Sequence, residues 1–206
     1  MKKVKLAALV LAAGFLLGGC GASSKGGFHP TENSIYVAAD GSISTATIEA
    51  VSGDQYKEEE LLAFVEQQVS AFNEEMGGDA KSRNEEGAEK LPVAVKSCTI
   101  KDGRAELILD YKDGETVAEF SEENGIAVAS LAVSSVSGEL PALKKPDGSA
   151  ASAEEAAKSG GIMIQTEGAV TIQTEGKILY MSEGVTVVDE RTGRMPEGAG
   201  TVIFEG

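Results

Sequence analysis

The residue types that could do chemistry in this 206-residue chain are scarce, with one exception. The single histidine, His29, stands beside Pro30 in a Gly/Ser-rich stretch. Serine–histidine, cysteine–histidine and histidine–zinc arrangements are therefore not expected. No glycine-rich phosphate loop occurs; many of the glycines follow Asp, Asn or Glu, as turns require. Carboxylates are the exception, with 33 Asp and Glu against 18 Lys and Arg and a net charge of −15. A glycosidase-type acid pair is compatible with that count. However, the chain has no Trp, four Tyr and six Phe, too few to build both a core and a sugar platform. A carboxylate-based hydrolase is thus the third reading of the sequence. Calcium needs only oxygen ligands, and extracellular calcium modules can be weak. Asp110, Asp113 and Glu115, and the run Glu58-Glu59-Glu60, do not match an Asp-x-Asp-x-Asp-Gly loop. They read as solvated turns and a helix start. No catalytic residue, metal ligand or cofactor is assigned.

The two cysteines differ in context. Cys98 lies in a β-prone run and is expected to be a buried small hydrophobe, not a nucleophile. Cys20 follows a leader. Lys2, Lys3 and Lys5 precede residues 6–17, which are only Leu, Val, Ala, Phe and Gly. As a helix that run would span about 18 Å, short of the roughly 30 Å bilayer core, so it fits a signal h-region better than a permanent span. It ends in Leu17-Gly18-Gly19-Cys20, followed by Gly21-Ala22-Ser23-Ser24.

These residues resemble the lipobox of a bacterial lipoprotein precursor: a Leu three residues before a Cys, with small residues between. The resemblance covers the leader and its cysteine. It implies a diacylglycerol on the Cys20 thiol and cleavage between Gly19 and Cys20, with Leu17, Gly18 and Gly19 recognised by the signal peptidase. The alternative is an ordinary secretory signal cut near Ala22, which would discard Cys20. Two long acyl chains hold a protein stably where one does so marginally. The membrane is therefore the expected partner, through a lipid anchor, and the place is the extracytoplasmic face of the cell membrane. Loss of the three leader lysines takes the net charge from −15 to −18. That balance repels anionic headgroups and excludes a nucleic-acid partner. With Cys20 lipidated, Cys98 has no intramolecular disulfide partner.

The organisation that follows is residues 1–19 as signal peptide, 20–33 as lipidated cysteine and flexible tether, and 34–206 as an acidic globular domain. Residues 34–39 and 42–51 predict a hairpin closed by a two-residue Asp40-Gly41 turn, with Ile35 opposite Ala46 and Val37 opposite Ser44. Leu61, Leu62, Val65, Val69, Phe72 and Met76 place one apolar face on a helix over 56–76, capped by Asp54 and ended by Gly77-Gly78. Glu66, Gln67, Asn73 and Glu74 are assigned to its opposite face. Residues 79–90 read as a polar loop. A second hairpin pairs 91–101 with 104–111 about Asp102-Gly103, Cys98 facing Leu107 and Ile100 facing Ala105. A short helix is expected over 113–124, with Val117 and Phe120 inward and Gly125 as its stop. A β-prone run covers 126–136. Residues 139–159 read as a loop with a short helix near 153–158.

In the C-terminal region Ile164-Gln165-Thr166-Glu167-Gly168 recurs as Ile172-Gln173-Thr174-Glu175-Gly176. Two copies are too few for a solenoid and read as a local duplication adding one strand. Strands over 177–181, 185–188 and 201–204, with a long turn over 191–200, complete the set. Asn33-Ser34-Ile35-Tyr36-Val37 running into Asp40-Gly41, the acidic helix, and Lys177-Ile178-Leu179-Tyr180-Met181-Ser182 together resemble a group of uncharacterised lipoproteins of Gram-positive anaerobes. That resemblance implies location and fold and brings no activity. The fold class expected is α+β: mostly antiparallel short strands with one main amphipathic helix packed on the sheet. The function expected is a non-catalytic surface lipoprotein that engages a protein partner at the cell surface. The alternative is a small-ligand or cation (calcium) binding module.

Overall fold

The computed structural model describes residues 27–51, 57–124 and 128–206. Its strands form two sheets, nearly all of whose pairings are antiparallel. The first hairpin pairs β1 (Ser34–Val37) with β2 (Ile43–Ala50). Its register is one residue away from the expected one: Ile35 faces Thr45 and Val37 faces Ile43. The cause is the buried face. Ile35, Val37 and Ile43 are all nearly inaccessible, and only this register puts them on one side of the ribbon. The loop accordingly takes three residues. Gly41 adopts φ +82°, Ala38 N–H donates to Ser42 O at 2.9 Å, and Asp40 Oδ1 accepts from Ser42 N–H at 2.9 Å.

The second hairpin, β3 (Val93–Lys101) with β4 (Arg104–Tyr111), has the predicted register. Cys98 faces Leu107 and Ile100 faces Ala105. Here both turn residues have positive φ, Asp102 at +52° and Gly103 at +74°, which a type I′ turn demands. A β-bulge between Val95 and Ser97 interrupts the ladder.

Helix α1 (Glu58–Glu75) lies between the hairpins in sequence, with Lys57 as its N-cap and no side-chain cap bond. The expected cap, Asp54, lies outside the described residues. Val65, Val69 and Phe72 enter the core, each burial contributing about 1.5–3 kcal/mol. Two residues of the sequence-derived faces are corrected. Met76 is exposed, whereas Asn73 is fully buried. Asn73 Oδ1 accepts from Val93 N–H at 2.9 Å, and its Nδ2 donates to Val93 O and Lys81 O at 2.8 and 2.7 Å. The amide thus fastens the 79–90 loop and the start of β3 to the helix.

Helix α2 (Gly114–Asn124) also contributes to the core, through Val117 and Phe120. Phe120 meets Phe72 and Tyr111 edge-on, at centroid distances of 5.1 and 6.0 Å. Both α1 and the shorter α2 therefore bury a face in the core. Gly125, the expected stop, lies outside the described residues. Gly114 sits so close to the Leu131 carbonyl that a side chain there would collide with it. Leu131 belongs to β5 (Ser130–Ser135).

The stretch read as a loop contains a miniature hairpin, β6 (Leu143–Lys144) with β7 (Ala150–Ala151), before α3 (Ala153–Lys158). Helix α3 opens with a reciprocal Ser152–Glu155 capping box. Then follow β8 (Ile162–Glu167), β9 (Thr171–Thr174), β10 (Ile178–Ser182), β11 (Thr186–Asp189), β12 (Thr192–Arg194) and β13 (Ala199–Phe204). The expected 191–200 turn therefore contains a strand. The seven-stranded sheet runs β11-β12-β9-β1-β2-β4-β3 and the six-stranded sheet β5-β8-β13-β10-β6-β7. The repeat copies enter different sheets rather than adding one strand to one sheet. Pairing of β9 with β1 is the parallel contact among the described strands. Ile35, Ile172, Val202 and Phe204 join α1 and α2 in one core supplied by both sheets. Among the described residues no helix is long and apolar enough to cross a membrane.

Candidate functional site

Leu17, Gly18, Gly19 and Cys20 lie outside the described residues. The other residues singled out by type are dispersed. His29 is exposed. Cys98 is buried, and burial foremost, with Glu58 adding to it, pushes its thiol above the ordinary value. Asp113 Oδ1 accepts from Thr116 N–H at 2.9 Å and from Thr116 Oγ1 at 2.7 Å, within the first turn of α2. Glu58 accepts from Ile100 N–H at 2.8 Å, on the edge strand β3, and Glu60 pairs with Lys57. No group of three or more His, Cys, Asp and Glu among the described residues could hold a metal ion.

Asp110 has a different setting. The register of the seven-stranded sheet sets Gln173, Tyr36, Ser44 and Asp110 side by side in a row across four strands. Ser44 Oγ donates to Asp110 Oδ1 at 2.6 Å, and Lys96 Nζ reaches the same oxygen at 3.2 Å. Lys96 occupies the bulge position of β3, a device that re-aims a side chain out of the regular alternation.

Tyr36, Ser44, Lys96 and Asp110, with Ser42, Lys90 and Tyr111, line a cleft of about 180 Å³. Burial, then Glu175 and Asp40, push the Tyr36 hydroxyl upward, opposed by Arg191. Burial likewise pushes Tyr111 upward, with Thr45 Oγ1 donating to its hydroxyl at 3.3 Å. Hydrogen bonds from Ser42 foremost, with the charge of Lys90 adding to them, hold Asp40 below its usual range. Lys90 has no hydrogen bond or ion pair among the described residues, and Asp110 Oδ2 has no hydrogen-bond donor among them. Sequence reasoning missed this cleft.

The segment before β1 is fastened to the same sheet. Phe28 stacks on Tyr36 with ring centroids 5.1 Å apart and planes 20° from parallel. Pro30 is buried, and its carbonyl accepts from Arg104 Nη2 at 2.7 Å. Glu32 accepts from Arg194 Nη2 at 3.0 Å and from Thr171 Oγ1 at 3.2 Å. Asn33 Oδ1 accepts from Ile48 N–H at 2.6 Å. Residues 28–33, expected from the sequence to belong to a flexible tether over 20–33, are instead held against the body by these contacts.

Compared with family models, curated proteins and solved structures, the chain matches none. The functional reading rests on its own residues.

Proposed function

We propose that this chain is a lipid-anchored lipoprotein at the extracytoplasmic face of the cell membrane, with a non-catalytic body that engages a surface partner. The observation that carries the reading is Leu17-Gly18-Gly19-Cys20 standing directly after a basic start and an apolar run. Leu17, Gly18 and Gly19 present the peptidase with a narrow backbone, and the Cys20 thiol takes the diacylglycerol. Docking of residues 28–33 supports the arrangement, because it reduces the spacer to 21–27, which spans about 25 Å at most. A body of charge −18 on so short a spacer stands off anionic headgroups by repulsion within a few Debye lengths, about 8 Å each at physiological salt. In this reading α1 is the one main helix bracing an α+β body.

The test is Cys20→Ser in a bacterial host fed labelled palmitate. The variant is expected to stay unprocessed and unlabelled, while the parent chain is cleaved before Cys20 and labelled. Equal processing and labelling of both would overturn the proposal. The small-ligand alternative is favoured by one observation, a cleft lined by both Asp110 and a Lys90 that makes no hydrogen bond or ion pair among the described residues.

A further inference from the structure

We propose that the cleft of the seven-stranded sheet binds a small zwitterion of the free α-amino-acid class, its carboxylate on Lys90 and its ammonium on Asp110. The inference is independent of the lipid anchor. It begins from two groups with hydrogen-bonding capacity left over: Lys90, whose charge acts on Asp40 but whose ammonium is in no hydrogen bond among the described residues, and Asp110, bonded through Oδ1, whose Oδ2 remains an acceptor. In a chain of net charge −15, two lysines line this one cleft.

The pairing of signs selects the ligand. A simple anion would meet the Asp110 carboxylate, and a simple cation would meet Lys90 and Lys96; a molecule carrying both charges satisfies each wall. Asp110 is already oriented for the task, since Ser44 and Lys96 both fasten its Oδ1. Such prior fixing lowers the ordering cost of binding. Size agrees. About 180 Å³ falls below the ≈ 300–1,000 Å³ of drug-sized pockets, which favours a small ligand. The Tyr36 ring, fixed by its stack on Phe28, supplies an apolar wall for a short side chain.

Calorimetry on the full chain in detergent micelles tests this, with L-alanine, L-leucine and L-glutamate as probes. At least one is expected to give saturable heat. Its N-acetyl derivative, which lacks the ammonium, is expected to bind at least tenfold more weakly, and inorganic phosphate likewise. Lys90→Gln and Asp110→Asn should each weaken the amino acid at least tenfold. Lys90 is exposed, so its variant should melt with the parent; Lys158→Gln, on α3, should bind as the parent does. Absence of heat with all three amino acids at millimolar concentration would overturn the proposal. So would undiminished binding by Lys90→Gln, or phosphate binding as tightly as the amino acid.

Discussion

The two copies of Ile-Gln-Thr-Glu-Gly are eight residues apart in the chain and end in different sheets. Copy one, in β8, is flanked by β5 and β13; copy two, in β9, by β12 and β1. What they share is the inward set. Ile164 and Ile172 are fully buried, and Thr166 and Thr174 are buried beside them. Each threonine hydroxyl donates to a backbone carbonyl, Thr166 to Ser130 at 2.7 Å and Thr174 to Gly176 at 2.8 Å. What differs is the end of each copy. Gly168 has φ +128°, a conformation other residues avoid, whereas Gly176 lies so close to the Glu205 carbonyl that a Cβ would collide with it. Glu167 is exposed, whereas Glu175 accepts from Ala39 N–H at 2.8 Å. Alternation therefore determines which residues are buried, and the surroundings determine what the glycine and glutamate are used for.

The isoleucines test the shared part. Ile164→Ala and Ile172→Ala should each cost about 2–5 kcal/mol in urea unfolding. A loss in one copy below half that in the other would break the equivalence. The glycines come next. Gly168→Ala and Gly176→Ala should each cost about 1–3 kcal/mol, the first from backbone strain and the second from collision. Truncation after Phe204 should relieve Gly176→Ala and leave Gly168→Ala unchanged in a double-mutant cycle. Relief of both, or of neither, would remove the distinction. The glutamates give the smallest effect. Glu175→Ala should cost about 0.5–1.5 kcal/mol, and Glu167→Ala should stay within about 0.5 kcal/mol of the parent, both read from thermal melts.

Two Asp-Gly turns show how far local chemistry carries. Asp102-Gly103 sets its register because both residues take positive φ and the strands agree with it. Asp40-Gly41 does not, because a two-residue loop would move Ile43 off the face holding Ile35 and Val37. Burial overrode turn preference. Asn73 was readable by position, four residues after Val69 on the buried stripe; residue type alone assigned it to solvent. Strand β12 has little propensity of its own and exists because β9 and β11 pair with it on either side. Strands β6 and β7 are too short to show a period. The cleft was the least legible part. Tyr36, Lys90 and Asp110 are distant in sequence, and Lys96 faces Asp110 from a bulge. The likeness of Leu17-Gly18-Gly19-Cys20 to a lipobox, by contrast, rests on contiguous residues and needs no fold to be read.

The clasp of residues 28–33 has a mechanical consequence. A pull arriving from the N-terminal side enters at β1, an interior strand of the seven-stranded sheet. Directed along the strand, it stretches the β1–β2 and β1–β9 ladders lengthwise, so their bonds share the strain instead of peeling in turn. The contacts of Arg194 in β12 with Glu32 and of Arg104 in β4 with Pro30 stand ahead of that strand, so they pass the first of the load to two other strands of the same sheet before β1 carries it alone.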